Sequence, residues 1–358
     1  METLRAGVIG AGFIAVRGHI PGYRAAPGVE VVALCDVKEE RARQVAQELG
    51  IPRAYGDYRQ MLEKEKLDLV SICSPNAFHA QMTIDALEAG AHVLCEKPMA
   101  LTFADAQAMV ETSRRVGRTL TVGFHMRYGP VMQAAKSLIT SGKLGEIYYA
   151  KANLWRRAGI PGYGSWFTNK DLAGGGAMMD IGCHMLDLSL WLLGYPQPRT
   201  VSAMCYAKFG PRAKGLGSWG ADHFPPGARF DVDDLTTTFV RLGEDLTLIV
   251  EVSWAGHMPN AHQLQILGSE GGLLYNPMLF GEEQPMRFFG EVSGELVEEP
   301  LGFSDDGKTA YQREISDWVT AIREGREPLV KPEEAAMVVQ IIEAAYRSAA
   351  TQQEVSLG

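Results

Sequence analysis

The chain has 358 residues, of which 34 are Lys or Arg and 43 are Asp or Glu, so its formal net charge is −9. This length suits two domains, and a composition of 46% hydrophobic and 22% charged residues excludes a disordered or fibrous protein. An acidic balance without a basic block argues against a nucleic-acid-binding protein.

The first third of the chain alternates short apolar runs with segments of helical spacing. The apolar runs predict strands buried on both faces, as in a parallel sheet. They lie at Ala6–Ile9, Val29–Leu34, Leu67–Cys73, Ala91–Cys95 and Thr119–Phe124. The predicted helices, each followed by a glycine suited to a helix C-terminus, lie at Glu39–Leu49, Ala77–Ala89 and Phe103–Val116. This alternation predicts a doubly wound α/β domain over residues 1–124.

After about residue 125, strand-like segments follow one another directly. They lie at Ile147–Trp155, Thr200–Lys208, Leu235–Leu242, Thr247–Ser253 and Gln263–Leu267. Their alternation of polar and apolar residues indicates a sheet with one face more exposed to solvent than the other. Helices are expected around Asp180–Leu193, Tyr311–Glu324 and Glu333–Ala350. We therefore predict that residues 125–358 form an α+β domain with an open, largely antiparallel sheet that binds substrate and supports oligomerisation.

The sequence carries no signal for export or membrane insertion. Its first residues lack a charged segment followed by an apolar one, so we expect no secretory signal peptide. No stretch reaches the roughly 18–20 uninterrupted apolar residues that a membrane span needs. The five cysteines include no C-x-x-C pair, and we interpret them as core residues of a cytoplasmic protein.

A glycine motif follows the first predicted strand. Gly10-Ala11-Gly12-Phe13-Ile14-Ala15 matches G-x-G-x-x-G/A and lies between a strand and a helix, which is the context that a dinucleotide site requires. Gly10 permits the tight turn, Gly12 lets the backbone approach a pyrophosphate, and Ala15 allows close packing. The helix N-terminus adds free N–H groups. We predict cofactor contacts from Gly10, Gly12, Phe13 and Ile14.

Asp36 follows the second strand, close to the offset of roughly 20 residues at which an acidic residue meets the adenosine ribose. A carboxylate there accepts hydrogen bonds from the ribose hydroxyls and repels a 2′-phosphate. We therefore predict NAD as the cofactor. NADP remains the alternative, because Lys38 and Arg41 lie nearby in the sequence.

Several polar residues directly follow the ends of predicted strands. Ligands of an open α/β sheet bind beyond the carboxyl ends of its strands, so these residues should meet in one crevice. They are Ser74, Asn76, Glu96, Lys97 and His125. A Glu-Lys pair is otherwise an ordinary surface ion pair of small energetic value. The proline after Lys97 fixes the following turn and favours the functional interpretation.

Asp180 and His184 are four residues apart in a predicted helix, so they share a face, and Asp187 lies near it. One interpretation is a structural histidine held by a carboxylate, and the other is a catalytic pair. A metal site formed by these three residues is chemically feasible. We predict no metal, since hydride transfer to NAD needs none when Lys and His handle the proton.

A loop rich in glycine, arginine and aromatic residues is predicted before the Asp180 helix. Such residues suit a carbohydrate, whose apolar faces stack on rings, but ordinary loop packing explains them equally well. Together with one arginine after the sixth strand, the substrate candidates are Arg127, Arg156, Tyr163 and Trp166.

These motifs resemble those of the glucose–fructose oxidoreductase / inositol dehydrogenase (Gfo/Idh/MocA) family. The resemblance rests on four segments in the correct order along the whole chain. They are the glycine turn, Ser74-Pro75-Asn76-Ala77-Phe78-His79, Glu96-Lys97-Pro98, and Gly174-Gly175-Gly176 followed by Asp180-Ile181-Gly182-Cys183-His184. The resemblance implies an N-terminal Rossmann domain, a C-terminal α/β domain, and NAD(P)-dependent oxidation or reduction of a sugar, polyol or related carbonyl compound.

The resemblance also implies roles for individual residues. Lys97 would lie beside nicotinamide and substrate, and Asp180 and His184 would complete the polar catalytic group. The residues that would flank the cofactor are Ser74, Asn76, His79 and Glu96. The segment G-F-H-M-R-Y at residues 123–128 departs from the commoner G-F-N-R-R-F, which puts the role of Arg127 in doubt. A homo-oligomer, a dimer or tetramer formed through the C-terminal sheet, is implied as well.

We therefore predict a dehydrogenase that oxidises a secondary hydroxyl of a sugar, an inositol-like cyclic polyol or a sugar derivative, with no nucleic-acid or membrane partner. Two other classes stay open. One is an NAD-dependent glycosidase that uses transient oxidation, and the other is a non-catalytic NAD-binding regulator. The joint presence of Lys97, Asp180 and His184 argues against the regulator, which needs only the cofactor turn.

Overall fold

The computed structural model describes residues 2–218 and 228–357. The chain forms two compact units. The first consists of Met1–Tyr128 and Gly307–Val339, and the second of Gly129–Asp306 and Gln340–Gly358. The division predicted between residues 124 and 125 stays a prediction.

The first unit is built on a six-stranded parallel sheet. Its strands are β1 (Leu4–Ile9), β2 (Val29–Cys35), β3 (Arg53–Tyr55), β4 (Leu69–Ile72), β5 (His92–Cys95) and β6 (Leu120–Val122). They lie in the order β3-β2-β1-β4-β5-β6, with every neighbouring pair parallel. This is the strand order of the Rossmann fold, and it confirms the predicted doubly wound sheet.

The second unit is built on a nine-stranded sheet. Its strands are β7 (Ile147–Trp155), β8 (Pro198–Tyr206), β9 (Leu235–Leu242), β10 (Leu246–Ser253), β11 (Ala261–Gly268), β12 (Gly271–Tyr275), β13 (Met286–Val292), β14 (Glu295–Pro300) and β15 (Val355–Ser356). Their order is β14-β13-β12-β11-β7-β10-β9-β8-β15. Neighbours are antiparallel except for β7 and β10, so the predicted open, largely antiparallel sheet is confirmed.

Helices follow most strands of the first unit and are fewer in the second. They are α1 (Ile20–Ala25), α2 (Glu39–Leu49), α3 (Tyr58–Glu65), α4 (His79–Glu88), α5 (Phe103–Val116), α6 (Pro130–Thr140), α7 (Lys170–Ala173), α8 (Cys183–Leu193), α9 (Pro277–Phe280), α10 (Ala310–Glu324) and α11 (Pro332–Thr351). A π turn over Ala15–His19 precedes α1, and another over Met178–Gly182 precedes α8. Within residues 2–218 and 228–357, no helix has the length and apolar character to cross a membrane.

The core of the first unit includes a helix from the far end of the sequence. Strand residues such as Val8 and Leu69 are fully buried, and Ile315 and Trp318 of α10 belong to the same cluster. Gly22 in α1 permits this contact, because a Cβ there would lie 2.4 Å from the Cδ1 atom of Ile315. A long-range helix therefore completes the hydrophobic layer on this side of the parallel sheet.

Candidate active site

The glycine turn after β1 has the shape of a dinucleotide-binding turn. Gly10 has φ +101°, and a Cβ there would lie 2.4 Å from the carbonyl oxygen of Cys73. A Cβ on Gly12 would meet no heavy atom within 4 Å, so the backbone faces open space there. Ala15 is fully buried, whereas the Phe13 side chain is exposed and Ile14 half-buried. The turn thus fits a pyrophosphate lying against Gly12.

Asp36 lies at the end of β2 and bonds to the same turn. Its Oδ2 accepts a hydrogen bond from the Ala11 N–H at 3.0 Å, and its Oδ1 accepts one from the Lys38 N–H at 2.9 Å. Each carboxylate oxygen can accept a second hydrogen bond, so these contacts are compatible with ribose hydroxyls. The residues present in the turn and at the end of β2 therefore fit an NAD cofactor.

His79 connects two turns at the carboxyl edge of this sheet. Its Nε2 lies 2.9 Å from the Ser74 carbonyl oxygen, and its Nδ1 lies 2.8 Å from the Pro98 carbonyl oxygen. The ring is fully buried, and burial lowers the pKa of His79. His79 and Asn76 are thus buried at this edge of the sheet. The cofactor-flanking roles expected of Ser74, Asn76 and His79 stay predictions.

Glu96 and Lys97 follow β5 on the same edge, and the Lys97–Pro98 peptide bond is cis. The Glu96 carboxylate is buried, its Oε1 lies 3.0 Å from Nε2 of His19, and its Oε2 accepts the Lys97 N–H at 3.1 Å. Burial raises the pKa of Glu96, but the hydrogen bond from His19 and the charge of Lys97 outweigh it, so that the pKa is lowered. The buried carboxylate of Glu96 therefore contacts the backbone of Lys97.

His125, which follows β6, belongs to the same cluster. Burial lowers the pKa of His125 to about 4, although the nearby Glu96 carboxylate acts to raise it. Its ring lies against that of Tyr311 in α10, with ring centroids 4.3 Å apart. The first unit thus gathers the glycine turn, Glu96, Lys97 and His125 at one sheet edge, as the strand-end pattern predicts.

Arg127 has a structural place. Its side chain is fully buried, and its Nη1 donates to the Leu329 carbonyl at 3.1 Å and to Oε2 of Glu334 at 2.6 Å. The guanidinium is thus paired with a carboxylate in the interior of the first unit. The substrate role expected of Arg127 stays a prediction.

Asp180 and His184 lie in the second unit, on the helical segment formed by the π turn and α8. Both side chains are half-buried, and Oδ2 of Asp180 accepts a hydrogen bond from Nε1 of Trp254 at 2.9 Å. Asp187 is buried and accepts a hydrogen bond from the Tyr195 hydroxyl at 2.8 Å. In the part of the chain that the structure describes, no three His, Cys, Asp or Glu side chains are grouped to hold a metal.

A buried carboxylate supports the start of this helical segment. Oδ1 of Asp233 accepts hydrogen bonds from the Gly176 N–H and the Tyr346 hydroxyl, both at 2.7 Å. Its Oδ2 accepts the Met178 N–H at 3.0 Å and the Thr236 hydroxyl at 2.8 Å. A Cβ on Gly176 would lie 1.8 Å from the Asp233 carbonyl oxygen, which explains the glycine. Asp233 thereby fixes the backbone that leads into Asp180.

The predicted substrate loop packs on itself and on neighbouring segments of the second unit. The Tyr163 ring stacks on Phe230 with centroids 5.9 Å apart, and Trp166 stacks on Phe167 at 3.8 Å. Nη1 of Arg156 donates to the Gly159 carbonyl at 3.4 Å. All three candidate side chains are only partly buried, so contact with a substrate stays a prediction.

Sequence reasoning misses four residues that shape the site, namely His19, Ser71, Asp233 and Trp254. His19 contacts Glu96, Ser71 contacts His19, and Trp254 contacts Asp180. Asp233 accepts hydrogen bonds from the backbone that precedes Asp180. The only signal in the sequence is the Gly174–Gly176 run, which indicates a close backbone approach without naming the partner.

Comparison with known proteins identifies the family to which the chain belongs. The family profile for the oxidoreductase family's NAD-binding Rossmann fold matches residues 4–124, and that for its C-terminal α/β domain matches residues 136–357. D-glucoside 3-dehydrogenase of Escherichia coli is 34% identical over 99% of this chain and 98% of its own. D-xylose 1-dehydrogenase (NADP⁺) 2 of Haloferax volcanii is 29% identical over 98% of this chain and 99% of its own.

Solved structures agree with these relatives. An oxidoreductase domain protein from Kribbella flavida superposes over 100% of both chains, with a TM-score of 0.84 and 27% identity. Its similarity spans both units, as the family profiles do. The chain therefore belongs to the Gfo/Idh/MocA family and is an NAD(P)-dependent oxidoreductase that acts on CH–OH groups.

Proposed function

We propose that this protein oxidises a secondary hydroxyl of a sugar or sugar derivative, with NAD⁺ as the preferred cofactor. The observation that carries the proposal is that the glycine turn, Asp36 and Lys97 lie at the carboxyl edge of one parallel sheet. A cofactor bound across that edge lies within the same unit as a lysine suited to stabilise developing negative charge. D-glucosides are the first substrates to test, because the E. coli relative is named for them.

The proposed catalytic group consists of Lys97, Asp180 and His184. Bound NAD⁺ supplies the hydride acceptor. The His184 imidazole accepts the hydroxyl proton as the general base. Asp180, held by Trp254, orients substrate hydroxyls and favours the imidazolium that forms. The Lys97 ammonium stabilises alkoxide character on the reacting oxygen.

A substrate and cofactor screen tests the reaction. NAD⁺ and NADP⁺ reduction is measured against methyl glucosides, aldoses, anhydro-sugars, sugar acids and inositols. We expect net NADH formation with a sugar or glycoside, whereas release of an aglycone without net NADH would show glycosidase activity instead. NAD⁺ binding without activity on any compound in the screen would favour a regulator.

Lys97→Ala tests the catalytic assignment. We expect single-turnover NAD⁺ reduction to fall at least 100-fold, on the scale of a lost general-acid or electrostatic group, with little change in NAD⁺ affinity. Lys64→Ala removes the same charge from an exposed position of the first unit and serves as the control. Wild-type hydride transfer in Lys97→Ala would refute the assignment.

We also propose self-association through the open face of the second unit's sheet. Met204 and Tyr206 on β8 and Leu267 on β11 are 37%, 38% and 40% exposed, although they are large and apolar. An exposed apolar sheet face of this kind marks an association surface. Light scattering coupled to gel filtration, with Met204→Lys as a disrupting variant, tests this.

The free thiols of all five cysteines favour a reducing compartment, and we propose the cytoplasm.

A further inference from the structure

Four buried polar side chains form a continuous hydrogen-bonded line in the first unit, and the line ends next to Lys97. The Tyr23 hydroxyl lies 2.7 Å from Oγ of Ser71, which lies 2.8 Å from Nδ1 of His19. Nε2 of His19 lies 3.0 Å from Oε1 of Glu96, whose other oxygen accepts the Lys97 N–H at 3.1 Å. Tyr23, Ser71 and His19 are fully buried. Neither the motifs nor the proposed reaction uses these three residues.

The buried Tyr23 end of the line determines the direction of every hydrogen bond. In the described part of the chain, the Tyr23 hydroxyl makes its only hydrogen bond with Ser71. If Nδ1 of His19 donated to Ser71, one buried proton would have no acceptor: that of Tyr23 if Ser71 donated to Tyr23, or that of Ser71 if Ser71 accepted from both neighbours. Leaving a buried donor unsatisfied is costly. Tyr23 therefore donates to Ser71, Ser71 donates to Nδ1, and Nε2–H donates to Glu96.

This direction requires a neutral His19 ring protonated on Nε2 and an ionised Glu96. All four side chains are then satisfied, and Glu96 carries the only charge. The hydrogen bond from His19 is the largest of the effects that lower the pKa of Glu96 against the effect of burial. The charge is balanced locally by Lys97, since the pKa of His125, lowered to about 4 by burial, leaves that neighbour neutral near pH 7.

The Tyr23 end of the line is closed to solvent. The Tyr23 ring packs against Trp318 with centroids 6.3 Å apart, and burial raises the pKa of Tyr23. Among the described residues, the titratable groups that interact with Glu96 besides His19 and Lys97 include His79, His125, Tyr311, Cys73 and Cys95. The backbone at Gly123 also faces it, since a Cβ there would lie 3.0 Å from Oε1. The arrangement therefore orients a carboxylate.

We propose that His19 is a positioning residue: held in one tautomer by Tyr23 and Ser71, it fixes the Glu96 carboxylate that orients the Lys97 backbone and offsets the Lys97 charge. This inference rests on the proposed function of Lys97. It predicts that the donor direction of the line, and not only its packing, affects the reaction. A purely structural histidine would affect stability alone.

Nitrogen NMR of protein labelled with ¹⁵N-histidine tests the tautomer without any substrate. The His19 signals are assigned by their loss in His19→Gln. At about pH 7.5 we expect the neutral Nε2–H tautomer in the wild type. In Tyr23→Phe, Ser71 still donates to Nδ1 and Glu96 still accepts from Nε2–H, so we expect the same tautomer. An imidazolium or an Nδ1–H tautomer in the wild type would overturn the inference.

The pH profile of kcat/KM, measured with the sugar or glycoside that the screen shows to be oxidised fastest, tests the effect on Lys97. In His19→Leu, Glu96 loses its donor, is neutralised more easily and offsets the Lys97 ammonium less well. We expect the basic limb to move about one unit to lower pH and kcat to fall about tenfold, with NAD⁺ affinity unchanged. His19→Gln keeps an N–H donor and should restore the profile.

Thr121→Val is the structural control, because Thr121 is buried in the same unit and its hydroxyl donates to the Val330 carbonyl, away from the line. We expect it to lower Tm without moving the pH profile. If His19→Leu does not fold, Ser71→Ala, which removes the donor to Nδ1, should move the basic limb in the same direction. A wild-type profile in the folded variant would overturn the inference.

The two proposals fail in different ways. Wild-type hydride transfer in Lys97→Ala would refute the role of Lys97, whatever the tautomer of His19. A strict requirement for Lys97, together with unchanged pH profiles in His19→Leu and Ser71→Ala, would refute the positioning role alone.

Discussion

Alanine substitution at Gly10 and at Gly12 adds the same methyl group two residues apart, and the structure predicts opposite results. At Gly10, with φ +101°, the new Cβ would lie 2.4 Å from the Cys73 carbonyl oxygen and 2.7 Å from its carbon. At Gly12, the new Cβ would meet no heavy atom within 4 Å. Gly10→Ala should therefore affect the fold, and Gly12→Ala should affect the cofactor.

The geometry sets the expected free energies. For Gly10→Ala, backbone strain costs about 1–3 kcal/mol, and overlap with a carbonyl held between β1 and β4 adds about 1–3 kcal/mol. The sum of about 2–6 kcal/mol is a large part of the 5–15 kcal/mol that is typical of a folded protein. For Gly12→Ala, we expect unchanged stability or a gain of about 0.4–1 kcal/mol. The methyl group prevents close approach of the pyrophosphate, and NAD⁺ affinity should fall at least tenfold.

Thermal unfolding with and without NAD⁺ measures both effects. At an NAD⁺ concentration about 100 times the wild-type Kd, the wild type should gain about 2.7 kcal/mol, whereas a variant with tenfold weaker affinity should gain about 1.4 kcal/mol. Titration of NADH fluorescence gives the affinities directly. Wild-type NAD⁺ affinity in Gly12→Ala, or wild-type Tm in Gly10→Ala, would refute the reasoning.

Three further predictions concern charged and titratable groups. Each carboxylate oxygen of Asp233 accepts two hydrogen bonds, and Asp233→Asn replaces one of these oxygens by an NH₂ donor. The substitution should lower the free energy of unfolding by about 3–6 kcal/mol in urea titrations. Exposed Asp245→Asn should change it by less than about 0.5 kcal/mol, and equal midpoints for the two variants would contradict the account. Asp36→Ala should lower the ratio of kcat/KM for NAD⁺ to that for NADP⁺ at least tenfold, and an unchanged ratio would argue against the ribose contact. The pKa of His125 is about 4 in the folded protein, below its unfolded value of about 6.5. The contribution of neutral His125 to the free energy of unfolding, on the order of 3 kcal/mol, is therefore present above pH 6.5 and is lost as the pH falls toward 4. His125→Phe, which keeps a ring against Tyr311, should reduce the difference in Tm between about pH 7.5 and about pH 4.5, and an equal difference would count against this assignment.

The local pattern of the sequence predicts the parallel sheet and its edge well. Strands buried on both faces leave near-continuous apolar runs, so β1, β2, β4, β5 and β6 are each found to within a few residues. β3 is missed because its three residues, Arg53–Tyr55, form no apolar run. The residues that follow the strands, such as Glu96 and Lys97, lie at the predicted edge because strand direction alone places them there.

Long-range contacts explain what the sequence does not predict. Arg127 follows a strand, as the predicted substrate residues do. Its guanidinium forms an ion pair with Glu334, which lies more than 200 residues later in the sequence. Helix α10 packs in the first unit although it follows the second unit's sheet. No local periodicity encodes either contact. The hydrophobic pattern of α10 shows that it is amphipathic, but not which core it completes.

Both units support a proposed catalytic residue with a buried carboxylate that takes no part in the reaction. Glu96 lies behind Lys97 with the backbone of Gly123 against it, and Asp233 holds the segment before Asp180 with the backbone of Gly176 against it. In each case a glycine lets the backbone approach, and the carboxylate receives donors from distant parts of the chain. An ionised acceptor gives stronger hydrogen bonds than a neutral one, so it fixes the backbone more tightly. The conformational cost of holding Lys97 and Asp180 in place is thus met by the folding energy of each unit, which is why we expect variants of the supporting carboxylates to alter stability and turnover together.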